Sequence, residues 1–198
     1  MSNLHTMYLS AIHEQRVTAS TRGGATSRLM ALQTTFADDI EVLNYALTLE
    51  HLEAAFYQAA GDYDLGTDAF GNDINEWATA IGAHETAHVD TLTQVITDLG
   101  GEPVAAATYD FGVTDAQSFL KTAAVLENVG VSAYDGAAQF IQDADLLTAA
   151  GSIVAVEARH ASYLNLITGD SPFPAAFETP MTPDEVLAAA GPFIVSGS

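Results

Sequence analysis

Two copies of one pattern, Glu85-Thr-Ala-His88 and Glu157-Ala-Arg-His160, stand in this chain at a separation of 72 positions. Three residues is less than one helical turn, so a carboxylate and an imidazole at that spacing project from one helix face and reach one metal ion. Two further glutamates, Glu50 and Glu127, precede the pairs, and each is followed seven positions later by a tyrosine, Tyr57 and Tyr134. The order is Glu, Glu-x-x-His, Glu, Glu-x-x-His. One Glu from each of two helices and a pair from each of two others can enclose two metal ions in a four-helix bundle. Four carboxylates and two imidazoles suit iron or manganese, with zinc a further taker, and the four negative charges neutralise two divalent cations. Buried without metal, the same glutamates would be costly, and some would take up protons.

A single Glu-x-x-His in an acid-rich chain is ordinarily a solvated helix pair. Here each Glu and His falls on the apolar stripe of its own helix, where a surface acid does not belong. Glu53 competes with Glu50, three residues away on nearly the same face. The repeat favours Glu50, because the position matching Glu53 in the second half is Gly130; Glu53 is expected beside the ligands or at the surface. Tyr57 and Tyr134 are expected in the core, where a hydrogen bond to a ligand carboxylate is the alternative to simple packing. His51 and His84 adjoin ligands but are turned about 100° around the helix, which predicts surface or rim positions. Arg159 also points away, toward an interhelical ion pair. No catalytic residue is singled out beyond the ligand set.

Four helices must carry these residues. Apolar residues at helical spacing predict helix 1 over 38–60, opening on acids and closing at Gly61. Helix 2 spans 73–99 and stops at Gly100-Gly101. Helix 3 starts near Thr114 or Asp115, and helix 4 covers 145–168. Gly130 and Gly151 lie inside helices at about 1 kcal/mol each relative to alanine, which predicts close helix contact or room for another group. Short loops make hairpins of helices 1–2 and 3–4. The residues between helices 2 and 3, 100–113, reach about 45 Å when extended, whereas a 25-residue helix is roughly 38 Å long. That connection can cross the whole bundle. After Gly169, an extended arm through Ser171-Pro-Phe-Pro leads to Thr182-Pro183-Asp184-Glu185, a capping box that opens a short C-terminal helix through Ala190.

Composition sets the bounds. With 198 residues and 48% hydrophobic content, the chain can bury the core of one domain, expected over 36–198. Absence of cysteine excludes disulfides, thiolate metal sites and cysteine nucleophiles. The net charge is −21, with Lys121 the only lysine, which argues against a nucleic-acid partner. Scarce lysine with abundant Asp, Ala and Gly resembles proteins of salt-loving organisms, in which concentrated salt screens carboxylate repulsion. Residues 1–35 hold three of the five basic residues and one of the 26 acidic ones, and read as a flexible or surface-bound tail. No apolar run is long enough for a membrane span. With no recognisable signal peptide, a cytoplasmic location is slightly favoured over export.

The stretches around Glu50 to Tyr57, Ala83 to Val89, Glu127 to Tyr134, Ala150 to Ala161 and the C-terminal Thr182-Pro-Asp-Glu-Val resemble the ferritin-like superfamily, and within it the desiccation-related ferritin-like proteins. The resemblance covers about residues 36–195. It implies an all-α, ferritin-like four-helix bundle with one long crossover between helices 2 and 3 and a short C-terminal helix. It also implies a di-iron or di-manganese centre on Glu50, Glu85, His88, Glu127, Glu157 and His160. The expected function is oxidative and stress-related, consuming peroxide or oxygen or oxidising Fe(II), as in ferroxidase-like or catalase-like enzymes. The alternative is a stress-protective bundle with a structural or relict metal. Expected partners are metal ions and a small oxidant, with a homodimer left open.

Overall fold

The computed structural model describes residues 36–196; the expected N-terminal tail, residues 1–35, lies outside them. The described residues form five α-helices and one two-stranded sheet: α1 (Asp39–Tyr57), α2 (Ile74–Asp98), β1 (Thr108–Tyr109), α3 (Ala116–Ala137), α4 (Ala144–Thr168), α5 (Pro183–Ala190) and β2 (Ile194–Ser196). Side chains that satisfy free backbone N–H groups set the starts. Asp38 accepts from Glu41 N, Asp73 from Asn75 N, and Asp143 from Asp145 and Leu146 N. Capping boxes open α3, from Asp115 and Ser118, and α5, from Thr182 and Glu185. Helix α1 ends at Tyr57 rather than near residue 60, because the chain tightens into a 3₁₀ turn at Ala60–Asp62 before the loop to α2.

The hairpins α1–α2 and α3–α4 pack as antiparallel pairs, and α1 and α3 form the main contact between them. The crossover from α2 to α3 runs the length of α1, as its reach predicts. Val104 N donates to Asn44 Oδ1 at 2.7 Å, the His51 ring bonds Val104 O at 3.1 Å, and Tyr63 OH donates to Val113 O at 3.2 Å. His51 is therefore a half-buried clamp on the crossover rather than a surface group. Beyond the clamp, Phe111 meets Phe56 edge-on, and β1 pairs antiparallel with β2 from the far end of the chain. Period-based reading leaves this strand pair out, since two and three residues are too few to show a period. The C-terminal arm docks on α3 through Met181 N to Ser132 O, 2.9 Å. There Gly136 is required, because a Cβ would lie 1.9 Å from Met181 O.

Two apolar clusters lie along the bundle. The larger centres on Phe56 and Phe119, stacked with ring centroids 4.5 Å apart, and takes in Val186 and Ala190 of α5. The smaller joins Leu43, Leu47, Leu92, Ile96 and Ile153 beside a cavity of about 40 Å³. No described helix is long and apolar enough to cross a membrane.

Candidate metal centre

Glu50, Glu85, Glu127 and Glu157 are fully buried, one on each of the four long helices. His88 and His160 lie one turn after Glu85 and Glu157 and turn their Nδ1 atoms into the same space. His88 Nδ1 is 3.2 Å from Glu50 Oε2, 3.0 Å from Glu85 Oε2 and 3.0 Å from Glu157 Oε1. His160 Nδ1 is 3.1 Å from Glu85 Oε1 and 3.2 Å from Glu127 Oε2. Donor atoms of Glu50, Glu85, His88 and Glu157 all fall within 4.8 Å of one another, as do those of Glu85, Glu127, Glu157 and His160. Glu85 and Glu157 belong to both groups. Each group is compact enough to surround one ion, and the two together bring in all six expected ligand residues.

The tyrosines cross over between the repeats. Tyr57 on α1 donates to Glu127 Oε1 on α3 at 2.6 Å, and Tyr134 on α3 donates a short hydrogen bond to Glu50 Oε1 on α1. Each phenol occupies the outer oxygen of one carboxylate and leaves Oε2 facing an imidazole. Three oxygens, Glu85 Oε1 and both of Glu157, are buried without a hydrogen bond, although two of them lie within 3.1 Å of an imidazole nitrogen. Glu157 Oε2 has neither kind of partner, and a buried carboxylate oxygen left so is costly unless a cation meets it, so this donor set fits a metal.

Residues 38–170 match the family profile of the ferritin-like domain. This chain belongs to that family. Among solved structures, a conserved hypothetical protein, rv2844, from Mycobacterium tuberculosis matches with a TM-score of 0.56 and 23% identity over 69% of this chain and 94% of that one, a likeness of fold. No curated protein matches.

In this ferritin-like bundle the metal-free cluster holds protons. Burial raises Glu50 to about 8 against the pull of His88. Burial likewise lifts Glu127 and Glu53 well above the usual carboxylate range, with Glu157 adding to both. It acts on Glu85 too, but the His160 and His88 imidazoles at its oxygens hold that carboxyl down at about 2. Burial opposes the imidazolium forms, yet the surrounding carboxylates keep His88 protonated up to about 12 and His160 up to about 10.

Glu53 is buried, not at the surface. Its carboxyl fills the space that Gly130 leaves open: a Cβ at position 130 would lie 2.8 Å from Glu53 Oε1 and 3.5 Å from Glu157 Oε2. Helical phase alone puts Glu53 near the site without saying whether α3 has room for it; the glycine at the matching position was the available signal. Gly151 differs: of the two expectations, close helix contact or room for another group, close contact is absent, because a Cβ there would meet nothing within 4 Å. Arg159 is exposed and forms no ion pair with a carboxylate among the described residues, contrary to expectation. Its long side chain starts on the solvent side of α4. His84 is exposed at the rim as expected, yet it also touches His160, a contact that crosses between hairpins and that spacing within one helix cannot reveal.

Proposed function

We propose that this ferritin-like chain is a di-metal carboxylate protein of the desiccation-related type, holding two iron or manganese ions and using them oxidatively on peroxide or oxygen. The observation that carries this reading is the pair of four-donor groups sharing Glu85 and Glu157. In it, Glu50 and His88 would help hold one ion and Glu127 and His160 the other, with Glu85 and Glu157, which belong to both groups, available to each. Two close redox ions supply the electron transfer that either a catalase-like or a ferroxidase-like reaction needs.

The remaining groups have separate tasks. Tyr57 and Tyr134 hold Glu127 and Glu50 in orientation through their outer oxygens, as partners of metal ligands do. Glu53, buried beside Gly130 on the α1–α3 side, would be the carboxyl next to the ligand set, its pKa raised by burial and then by the neighbouring glutamates. The apolar clusters on both sides keep bulk water from the carboxylates. Loading displaces protons from His88 and His160, so metal uptake releases acid and strengthens as pH rises.

The second reading, a metal that staples a stress-protective bundle, is favoured by the origin of the six donors on all four long helices. Turnover separates the two. Protein reconstituted anaerobically with Fe(II) or Mn(II) in molar salt should hold two ions per chain, and Glu85→Ala/Glu157→Ala should hold none. Peroxide or oxygen consumption by the loaded protein supports the oxidative reading; tight binding with higher thermal stability and no turnover supports the staple. Absence of metal after reconstitution would overturn both.

A further inference from the structure

His84 stands immediately before Glu85 on α2, and its ring is exposed. Its Nδ1 nevertheless lies 2.9 Å from Nε2 of the buried His160 on α4. The ring centroids are 5.2 Å apart and the planes differ by 9°. That centroid separation is as large as a 2.9 Å N···N contact between two imidazoles permits. The two nitrogens therefore lie on the line joining the rings, and the bond runs in the plane of both. This is the geometry of an aligned N–H···N hydrogen bond, not of a face-to-face stack.

The other nitrogen of His160, Nδ1, is the one that faces Glu85 and Glu127. An imidazole that gives one nitrogen to a metal carries its proton on the other, and the acceptor of that N–H fixes ring orientation and ligand basicity. His84 can fill this acceptor role through the bare Nδ1 of its neutral ring, 2.9 Å from His160 Nε2. The two halves of the repeat differ here: the position before Glu157 that matches His84 is Val156, which has no side-chain acceptor.

We infer that His84 is a positioning residue for His160, accepting the Nε2–H of that ring so that Nδ1 is presented to one metal position and not to the other. The inference rests on the di-metal reading, and it makes the two positions unequal. Among the described residues His84 forms the one imidazole-to-imidazole contact at the centre, so the Glu127–His160 side has a histidine partner that the Glu50–His88 side, where His88 is itself half-buried, does not.

The test uses the full chain, titrated with Co(II) in molar salt and followed by its visible absorption, with Zn(II) competition to set the affinities. His84→Phe should weaken one of the two binding steps by about 10- to 100-fold and leave the other unchanged. His84→Asn should restore most of that loss, because asparagine Oδ1 occupies the place of histidine Nδ1. In the Zn(II)-loaded, ¹⁵N-histidine-labelled wild type, His160 should carry its proton on Nε2, and in His84→Phe that resonance should shift. Equal affinities at both steps in wild type and His84→Phe, or an unchanged His160 resonance, would overturn the inference while leaving the di-metal reading intact. A loss in His84→Phe that His84→Asn does not restore would overturn it as well. A wild type that takes up no Co(II) would instead defeat the di-metal reading itself.

Discussion

The inner helices α1 and α3 and the outer helices α2 and α4 supply the same cluster from opposite surroundings. Helix α1 buries ten of its 19 residues and α3 twelve of 22, whereas α2 and α4 bury six of 25 each. The crossover, the strand pair and α5 lie over α1 and α3, and leave α2 and α4 with single apolar stripes facing inward. A helix apolar all round is a buried helix, and one with a stripe is a surface helix. The chemistry divides along the same line. The covered side contributes Glu50, Glu53, Glu127 and both tyrosines, all buried; the bare side contributes both imidazoles and, through His84, a link to the surface. The cluster therefore lies nearest solvent on the α2–α4 side, where His88 is half-buried and His84 exposed, and the tyrosines of α1 and α3 orient Glu127 and Glu50.

The largest expected effect comes from pH, because groups on both sides titrate together. In the metal-free fold His88 and His160 are raised from 6.5 to about 12 and about 10, and Glu50 from 4.5 to about 8. The folded chain then binds more protons than the unfolded one, so their contribution is full below about 4.5 and is lost as pH rises through about 8, about 10 and finally about 12. Glu85, lowered to about 2, acts in the opposite sense and matters only in strong acid. Metal-free protein should therefore lose thermal stability steadily from pH 5 to pH 9, and metal-loaded protein should lose much less. Parallel melting curves with and without metal, or a metal-free midpoint that climbs with pH, would break the account of the cluster.

Next in size is a change on the covered side alone. Gly136→Ala would drive a methyl group into the carbonyl of Met181, a backbone atom with little freedom to yield. We expect destabilisation of ~3 kcal/mol by urea denaturation, with faster proteolysis near residue 180 as the arm lifts. An unchanged midpoint would mean that the arm does not hold the inner helices. Smaller again is the removal of one orienting phenol. Tyr57→Phe takes the O–H donor from Glu127 Oε1 and should lower metal affinity by about 10-fold or more, read by competition with a chelator. Smallest is Gly151→Ala on the bare side, where nothing stands in the way. It should stabilise the protein by ~0.5–1 kcal/mol, and a loss of stability there would show that the α4 surface is covered by something else.

Much of the centre is legible along single helices. Glu50, Glu85, His88, Glu127, Glu157 and His160 can be placed on inward faces because helical period converts sequence spacing into azimuth. The seven-residue step to Tyr57 and Tyr134 works in the same way. Distances between helices are not encoded by that period. Whether Glu53 meets solvent or α3 depends on how closely α1 approaches Gly130, and the His84 contact depends on where α4 stands beside α2. Arg159 shows the converse: its outward phase could be read, but the absence of a partner across the gap could not. The β1–β2 pair joins segments more than 80 positions apart and only forms once the crossover and α5 have brought them together.

What the sequence by itself determined is local: helix starts through their capping residues, helix faces through the 3.6-residue period, a crossover long enough to span the bundle, and a set of carboxylate and imidazole donors on inward faces. The tertiary structure alone decided which carboxylates belong to both donor groups, that each tyrosine serves the glutamate of the opposite repeat, that Glu53 is buried, and that His84 reaches His160. The reason is physical. Period and capping act within one helix over a few residues, whereas sharing, burial and contact across a bundle depend on packing distances of a few ångströms, to which residues remote in the chain contribute jointly.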